Sequence, residues 1–329
     1  MAELIRHAAY LPKYRAPLGE IQSFEGRPGR PRAKALATPG LDEDALTMAW
    51  EAASRVLAAG ASPAAVVTLT QSAPFGFRKM SQTLSRALEL DPDVACYDIA
   101  GHQGSLLDGL ELAAGIADAG RGEVLVIASD HVVSYGDRVC DLLSAGAAAA
   151  FLVGASGGFA TLGPVVRDGR EVYDIWRLGT EPEPRYRLEV LFDAYGQAAR
   201  GALGKLEHIT ERPTGKYAAV CASQPHPQTL RSLGRAGVTE AQLAATSFVA
   251  EIGNLGCASV GVALALGLDT ARKGQAVAAF GYGAGEGIAQ AIEITTAPPK
   301  SGAAAQIPGE AIGLGTYYRW TRGRQQEPH

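Results

Sequence analysis

Long apolar runs are absent from this sequence of 329 residues. The longest stretches, such as Ala145–Val153, are much shorter than the ~20 residues that a membrane-spanning helix needs. The first residues, MAELIRHAAYLPKYR, contain no apolar core of signal-peptide length. Basic charge is not in excess either, because 30 Lys and Arg face 34 Asp and Glu. We therefore expect a cytoplasmic protein that binds neither membranes nor nucleic acid.

Cysteine is scarce, and the cysteines form neither a CxxC pair nor a metal-ligand pattern. The four are Cys96, Cys140, Cys221 and Cys257. Most of them lie among apolar or small residues, which is typical of buried free thiols in a reducing compartment. The sequence therefore predicts no bound metal.

What the sequence does contain is a regular alternation of strands and helices. Short apolar runs predict strands, and apolar residues at helical spacing predict the segments between them. This alternation indicates an α/β fold with a mainly parallel sheet covered on both faces. Residues 15–40 show no periodicity and predict a surface loop. The predicted strands are Ala65–Leu69, Val94–Ile99, Glu123–Ala128 and Ala148–Val153, and the predicted helices are Phe77–Leu88, Leu106–Ala119 and one that opens at Asp42.

The second half of the chain repeats the spacing of glycines and predicted elements of the first half. Corresponding glycines lie 152 positions apart; the pairs are Gly101 and Gly253, Gly104 and Gly256, and Gly122 and Gly274. The strand before them obeys the same offset, since Val67–Ser72 falls on Ala219–Gln224. The order of strand, turn, helix, Gly and strand also repeats, so we predict two duplicated halves, residues 1–164 and 165–329.

Duplication has a consequence for the position of a functional site. Pseudo-symmetry brings equivalent strand ends face to face, and ligands of α/β folds bind beyond the carboxyl ends of strands. Four loops should therefore converge. They begin at Thr70-Gln71-Ser72, Gly101-His102-Gln103, Ser223-Gln224-Pro225-His226 and Gly253-Asn254.

Several segments, in order along the chain, resemble the thiolase superfamily in its archaeal-type 3-hydroxy-3-methylglutaryl-CoA (HMG-CoA) synthase and ketoacyl synthase III branch. They are LDEDALTMAWEAA, YDIAGHQGSLLDGLELA, GNLGCASVGVALA, FGYGAGEG and GTYYRWTRGRQ. The resemblance covers nearly the whole chain. It implies a thiolase-like five-layer αβαβα fold, a homodimer, and an acyl group carried on CoA or on an acyl carrier protein.

The positions of the family's catalytic residues hold different residues here. Gln103 stands where the family has its nucleophilic Cys, at the end of the run that begins with Asp98. Gln71 stands where it has a general acid/base Glu, and Ser223 where a His opens an HQPN-like motif. Of the four catalytic-type positions only Asn254, in the G-N loop, matches.

These substitutions put the family's chemistry in doubt. A carboxamide at position 103 forms no thioester, and the amide of Gln71 has no titrating proton. Gln at the Cys position alone is what decarboxylating ketosynthases have, but those enzymes keep their histidines where this chain has Ser223. The resemblance thus implies a family scaffold with a substituted Cys-His-Glu triad.

Two histidines lie beside these positions. His102 precedes Gln103 and is either a base or nucleophile, or a histidine of a buried turn that bonds to backbone. His226 lies three residues after Ser223, and a loop rearrangement would turn its imidazole inward. Asn254 is either a structural loop residue or a ligand of an acyl carbonyl.

Three hypotheses of function follow from the resemblance. The first is a non-catalytic subunit of an acyl-CoA-dependent acyltransferase or condensing complex, assembled with a thiolase-like subunit and a zinc-ribbon/OB-fold protein. The second is an active acyltransferase, or a decarboxylating or condensing enzyme, that uses CoA or carrier-protein thioesters without an acyl-Cys intermediate. The third is an acyl-CoA binding or sensing module. In each, acyl-CoA is the expected ligand and no cofactor is covalently bound.

Incubation with acetyl-CoA should leave the mass of the chain unchanged, because Gln103 cannot be acylated. Intact-protein mass spectrometry checks this directly. A stoichiometric acetyl adduct on any of the four cysteines would contradict the interpretation.

Overall fold

The computed structural model describes residues 1–57, 61–178, 181 and 183–326. The last three residues of the predicted C-terminal half lie outside this range. The strands are β1 Glu3–Tyr10, β2 Tyr14–Pro17, β3 Ala35–Thr38, β4 Ala65–Thr70, β5 Ala95–Ala100, β6 Val124–His131, β7 Gly146–Gly154, β8 Ala160–Asp168, β9 Ile175–Trp176, β10 Arg185–Tyr186, β11 Ala219–Ala222, β12 Ala276–Gly283, β13 Glu286–Ile294 and β14 Glu310–Ala311. The α-helices are α1 Leu18–Phe24, α2 Ala45–Leu57, α3 Met80–Ala87, α4 Leu106–Asp118, α5 Arg138–Leu142, α6 Leu188–Thr210, α7 Pro227–Ser232, α8 Glu240–Leu243, α9 Val249–Ile252, α10 Ala258–Thr270, α11 Ala303–Gln306 and α12 Leu314–Gln326.

Nine strands form one mixed sheet with the order β11-β12-β13-β8-β1-β7-β6-β4-β5. In the first half, β4, β5 and β6 are parallel, and β7 runs antiparallel to β6 and β1. The second half follows the same plan, with β11 parallel to β12, and β13 antiparallel to β12 and β8. The halves join where β1 pairs with the start of β8.

Helices lie between the two parts of this sheet and on both outer sides. Helices α4 and α10 contact strands of both halves, and α10 is buried on every side from Ala258 to Leu268. Helix α2 covers β1, β6 and β7 from outside, whereas α6 covers β8, β12 and β13. The layers therefore alternate helix, sheet, helix, sheet, helix. This is the five-layer αβαβα arrangement that the resemblance implied.

The repeat is incomplete at one edge of the sheet. The residues 152 positions after β5 form α9 instead of a strand, so the second half contributes four strands where the first contributes five. The predicted boundary between residues 164 and 165 falls inside β8, which continues the sheet without a break.

The two edges of the nine-stranded sheet differ as a result. At the β11 edge, Thr246 Oγ1 donates a hydrogen bond to Val220 O (2.8 Å), and Gln224 Nε2 donates to Thr246 O (2.7 Å). The segment around Thr246 thus covers this edge with side-chain bonds. At the opposite end, β5 pairs with β4 alone among the described strands. An edge strand of this kind offers its backbone groups to a partner.

The prediction of a surface loop for residues 15–40 is wrong in part, because this segment contains α1 and the strands β2 and β3. β2 pairs with β3, and β14 from the far end of the chain adds to β2. Arg15 joins these elements. The residue is 4% exposed, and its guanidinium donates to the carbonyls of Pro12, Tyr14, Gln306 and Ile307. Burial lowers the pKa of Arg15 to about 10.

Asp98 in the edge strand β5 fixes the start of α3. Its carboxylate accepts hydrogen bonds from Met80 N (2.7 Å), Ser81 N (2.9 Å) and Thr68 Oγ1 (2.8 Å). Burial alone would raise the pKa of Asp98, but these hydrogen bonds outweigh it and hold the pKa below its ordinary value. A charged carboxylate at a helix N-terminus is stabilising, since it satisfies free N–H groups and opposes the helix dipole.

Two further expectations concern burial. Cys140, Cys221 and Cys257 are buried free thiols, whereas Cys96 on β5 is half-buried. None of the helices in the described part of the chain combines the length and apolar character of a membrane span.

Replacing Asp98 by Ala should lower the free energy of unfolding by about 1 kcal/mol at pH 7, since the cap of α3 is lost. The folded-state pKa of Asp98 lies below its unfolded value. Its contribution is therefore complete above the unfolded pKa of about 4 and disappears as the pH falls through the folded pKa. Urea titrations at pH 7 and pH 3 should show a smaller difference between the two proteins at pH 3. Asp93→Ala, in the exposed turn before β5, is the control, and an equal difference at both pH values would contradict the cap.

Candidate functional site

The four loops predicted to converge do adjoin one another. A Cβ added to Gly101 would lie 2.8 Å from Cys257 Sγ, so the loop after β5 touches the loop before α10. A Cβ on Gly104 would lie 2.9 Å from Tyr282 N. Tyr282 N in turn donates a hydrogen bond to Ser223 Oγ (3.1 Å), at the end of β11. The glycines allow this approach because any side chain at either position would overlap its neighbour.

Asp130, at the end of β6, links the loop after β4 to the loop before α10. It is 1% exposed, and its carboxylate accepts hydrogen bonds from Ser72 Oγ and from Cys257 N (3.0 Å). His131 N donates to the same carboxylate (3.1 Å). A side chain at Gly256, which has a φ of +56°, would overlap the carboxylate. Burial raises the pKa of Asp130, although these hydrogen bonds oppose the rise.

Gln103 lies in the turn that precedes α4. It is 9% exposed, and its buried Oε1 atom has no hydrogen-bond partner among the described residues. A buried amide oxygen without a partner is costly, because it has lost water and gained nothing in exchange. Gln103 therefore has a buried acceptor with bonding capacity to spare. Gln71, by contrast, is exposed on the loop after β4.

Ser223 belongs to the wall of the site. It is fully buried, its N donates to Phe280 O (2.8 Å), and its carbonyl accepts from Tyr195 OH (2.8 Å). Its hydroxyl accepts from Tyr282 N, and the rings of Tyr195 and Tyr282 are 5.2 Å apart behind it.

Asn254 shapes its own loop. Its Oδ1 accepts from Gly256 N (3.0 Å), and its Nδ2 lies 3.4 Å from Leu142 O. Its backbone N donates to Leu143 O (2.8 Å). Of the two interpretations of Asn254, these bonds favour the structural one.

His102 bonds to the backbone of the turn before α4. Its Nδ1 accepts from Gly104 N (3.0 Å), so the neutral ring carries its proton on Nε2, which faces Glu286 Oε2 at 3.3 Å. The ring rests on Gly283, where a side chain would overlap it. His102 N donates to Ser105 Oγ (2.6 Å). These contacts favour the interpretation of His102 as a histidine of a hydrogen-bonded turn.

His226 caps α7. Its Nδ1 accepts from Gln228 N (3.1 Å), and its ring packs 4.9 Å from that of Phe192. It is 4% exposed. Burial lowers the pKa of His226 to about 4, and the positive charges of Arg32 and Arg231 add to the shift. The imidazole is therefore neutral at physiological pH, and its acceptor nitrogen is engaged in the cap.

Two features of the site were not found from the sequence. Asp130 and Glu286 both lie at the site, yet neither was a candidate. Asp130 follows a predicted strand at its carboxyl end, which is the same signal that identified the other loops. Across the described residues, no cluster of three His, Cys, Asp or Glu side chains has the geometry of a metal site.

No protein-family model matches the chain. The hydroxymethylglutaryl-CoA synthase of Methanocaldococcus jannaschii is 26% identical over 308 residues, which cover 90% of this chain and 89% of the relative. That of Aeropyrum pernix is 29% identical over 296 residues, covering 84% and 81%. A crystal structure of HMG-CoA synthase complexed with CoA has a TM-score of 0.87 at 16% identity, and covers 97% of this chain and 89% of that chain. The fold is thus the thiolase-like fold of HMG-CoA synthases.

Replacing Asp130 by Asn should lower the free energy of unfolding by about 2–3 kcal/mol, because an amide N–H would face donors that now meet a carboxylate oxygen. Chemical denaturation measures the loss. Asp137→Asn, an exposed acid on a neighbouring loop, is the control and should change stability little. Equal stabilities of the two variants would show that Asp130 does not hold the loops together.

Proposed function

We propose that this HMG-CoA synthase-like protein is a cytoplasmic, acyl-CoA-binding and non-catalytic subunit of an acyltransferase or condensing complex. The observation that carries the proposal is the bonding of the residues at the family's catalytic positions. Ser223 is enclosed in an aromatic wall, Gln103 is a carboxamide, and Gln71 has no titrating proton. Acyl transfer through a cysteine needs a nucleophile, a base and an acid, and these side chains supply none of them.

The neighbouring histidines do not replace the missing groups in this arrangement. A general base needs a free nitrogen directed at the proton that it removes. His102 has one nitrogen bonded to Gly104 N and the other facing Glu286, and His226 uses its acceptor nitrogen to cap α7.

A basic loop beside His226 supports the binding of acyl-CoA. Arg30, Arg32 and Lys34 are all exposed; the charge of Arg32 contributes to the lowered pKa of His226, and the ammonium of Lys34 is paired with Glu251 (2.8 Å). Lys34 N donates to Ala250 O (2.9 Å), so the loop lies against α9, just before Asn254. Guanidinium and ammonium groups are the usual ligands of phosphates, and CoA carries three. A structure similar to this chain is of an HMG-CoA synthase with CoA bound.

The homodimer is proposed to form by pairing of β5 with β5 of a second copy. The β11 edge is covered by the segment around Thr246, so pairing of β5 with β11 is blocked. Pairing of β5 with β5 of a second copy about a twofold axis joins the two sheets instead. This contact uses the same strand of both copies, so the assembly ends at two subunits. The thiolase-like subunit and the zinc-ribbon/OB-fold protein stay predictions from the resemblance.

One observation favours an alternative function. The amide of Gln103 is buried and incompletely bonded at the start of α4, where backbone N–H groups also point outward. The backbone N–H groups there would donate hydrogen bonds to a thioester carbonyl or an enolate, whereas the unpartnered Oε1 of Gln103 is an acceptor and would take an N–H or O–H donor of the ligand. The alternative is therefore an active acyltransferase, or a decarboxylating or condensing enzyme, that acts without an acyl-Cys intermediate.

Isothermal titration calorimetry should detect CoA binding, and the double change Arg30→Gln with Arg32→Gln should weaken it about tenfold by removing two cations near the phosphates. Arg121→Gln with Arg272→Gln, two exposed arginines elsewhere, carries the same change in net charge and should bind like the wild type. Release of CoA from acetyl-CoA, followed with a thiol reagent, should stay at the rate in buffer.

The outcomes separate the hypotheses. CoA release that disappears in Gln103→Ala would favour the alternative enzyme. Equal CoA affinities in the two double variants would remove the basic loop from the proposal. Absence of any CoA binding by the wild type would contradict the acyl-CoA part altogether.

A further inference from the structure

The basic loop, residues 25–34, carries Arg30, Arg32 and Lys34 on a segment that is neither helix nor strand. Gly26 and Gly29 within it have φ values of +66° and +113°, left-handed conformations that glycine adopts without strain. A segment of this kind takes its shape from a small number of contacts. The position of its cations therefore depends on what holds each end of the loop.

Arg27 holds the near end of the basic loop to α5. Its Nη2 donates to Asp141 Oδ2 (2.5 Å), and its Nη1 lies 3.5 Å from Asp137 Oδ2. The side chain of Asp141 is 27% exposed and that of Asp137 is 55% exposed, so the pair with Asp141 is the better shielded from water and salt. The backbone N of Arg27 also donates to Gln22 O (3.0 Å) on α1.

The carboxylate of Asp141 has a second donor. Tyr186 OH, on β10, donates a hydrogen bond to it (2.7 Å). Burial and this hydrogen bond raise the pKa of Tyr186, so the phenol stays a donor at neutral pH. One carboxylate on α5 thus joins the basic loop to the strand that leads into α6.

The same short helix holds the Asn254 loop of the candidate site. Asn254 N donates to Leu143 O (2.8 Å), and Asn254 Nδ2 lies 3.4 Å from Leu142 O, both at the end of α5. At the far end of the basic loop, Lys34 N donates to Ala250 O (2.9 Å) on α9, four residues before Asn254. Both ends of the basic loop are therefore attached to the elements that position Asn254.

We propose that Asp141 is a positioning residue for the binding of CoA phosphates: by holding Arg27, it keeps Arg30 and Arg32 in place beside the Asn254 loop. The inference rests on the function proposed above, in which the basic loop binds the phosphates of acyl-CoA. A carboxylate beside a phosphate site repels the ligand, so any benefit of Asp141 has to come through the cation that it holds. A loop that is already ordered binds more tightly, because the ligand does not have to fix it.

Isothermal titration calorimetry with CoA tests the positioning role by the sign of the effect. Asp141→Ala should weaken CoA binding about fivefold, since the ligand then has to order the loop. Electrostatics alone gives the opposite sign, because the change removes a negative charge near the phosphates. Asp137→Ala removes the same charge at the more exposed and longer contact, and should bind CoA at least as tightly as the wild type.

A double-mutant cycle shows whether Asp141 acts through Arg27. Arg27→Gln removes the cation that Asp141 holds, so adding Asp141→Ala in that background should change the CoA affinity no further. A carboxylate that supports the fold independently of Arg27 would give effects that add.

Limited trypsin digestion reports on the loop without any ligand. Two of its arginines precede proline, which trypsin does not cleave, so the loop offers the bonds after Arg32 and Lys34. Cleavage at these bonds should be faster in Asp141→Ala than in the wild type or in Asp137→Ala, because exposed and loosely held segments are cut first.

The outcomes separate this inference from the proposed function. Equal or tighter CoA binding by Asp141→Ala, while Arg30→Gln with Arg32→Gln still weakens it, would overturn the positioning role and leave the basic loop as the phosphate site. Additive effects in the Arg27→Gln background would overturn it as well. If the wild type binds no CoA, the proposed function is wrong, and the trypsin comparison alone then decides whether Asp141 holds the loop.

Discussion

The buried carboxylate of Asp130 is the interaction on which the site depends. Hydrogen bonds from Ser72 and Cys257 reach it from two loops that belong to different halves of the chain. Without these donors, an ionised group at this depth would be costly, and without the carboxylate the donors would be unsatisfied in turn. The close approach of Gly101 to Cys257 follows from the same arrangement. One buried carboxyl group and its donors thus join the two halves at the site.

The groups that hold the loops of the site together are therefore different from the groups at the family's catalytic positions. Loops that are held by Asp130, by small residues such as Gly104, and by backbone bonds around Asn254 keep their shape whatever stands at the nucleophile position. Under the proposal that the reactive groups have been replaced, the scaffold therefore loses none of these contacts. Ser223 differs from Gln103, because its hydroxyl and both of its backbone groups are hydrogen-bonded to the residues that surround it.

Much of the fold was predictable because it is encoded locally. The apolar runs at 65–69 and 94–99 correspond to β4 and β5 within one residue at each end, and the helix predicted from Leu106 begins there. The features that were predicted wrongly depend on contacts with residues far away in the sequence. Residues 15–40 form the β2–β3 pair, to which β14 adds from far along the chain, and the repeat loses a strand where Thr246 covers the β11 edge. The cap by His226 depends on how the chain turns into α7, which residue type alone does not specify.

The clamp around Arg15 has a consequence for the order in which the molecule is completed. The guanidinium of Arg15 finds two of its four carbonyls at Gln306 and Ile307, which follow it by 291 and 292 residues and are therefore synthesised much later. Until then, a charged side chain that ends up buried lacks half its acceptors, and β2 lacks one neighbouring strand. The small sheet of β14, β2 and β3 is therefore complete only once β14 has been synthesised, and a fragment that contains only the first half of the chain would expose this charge to water.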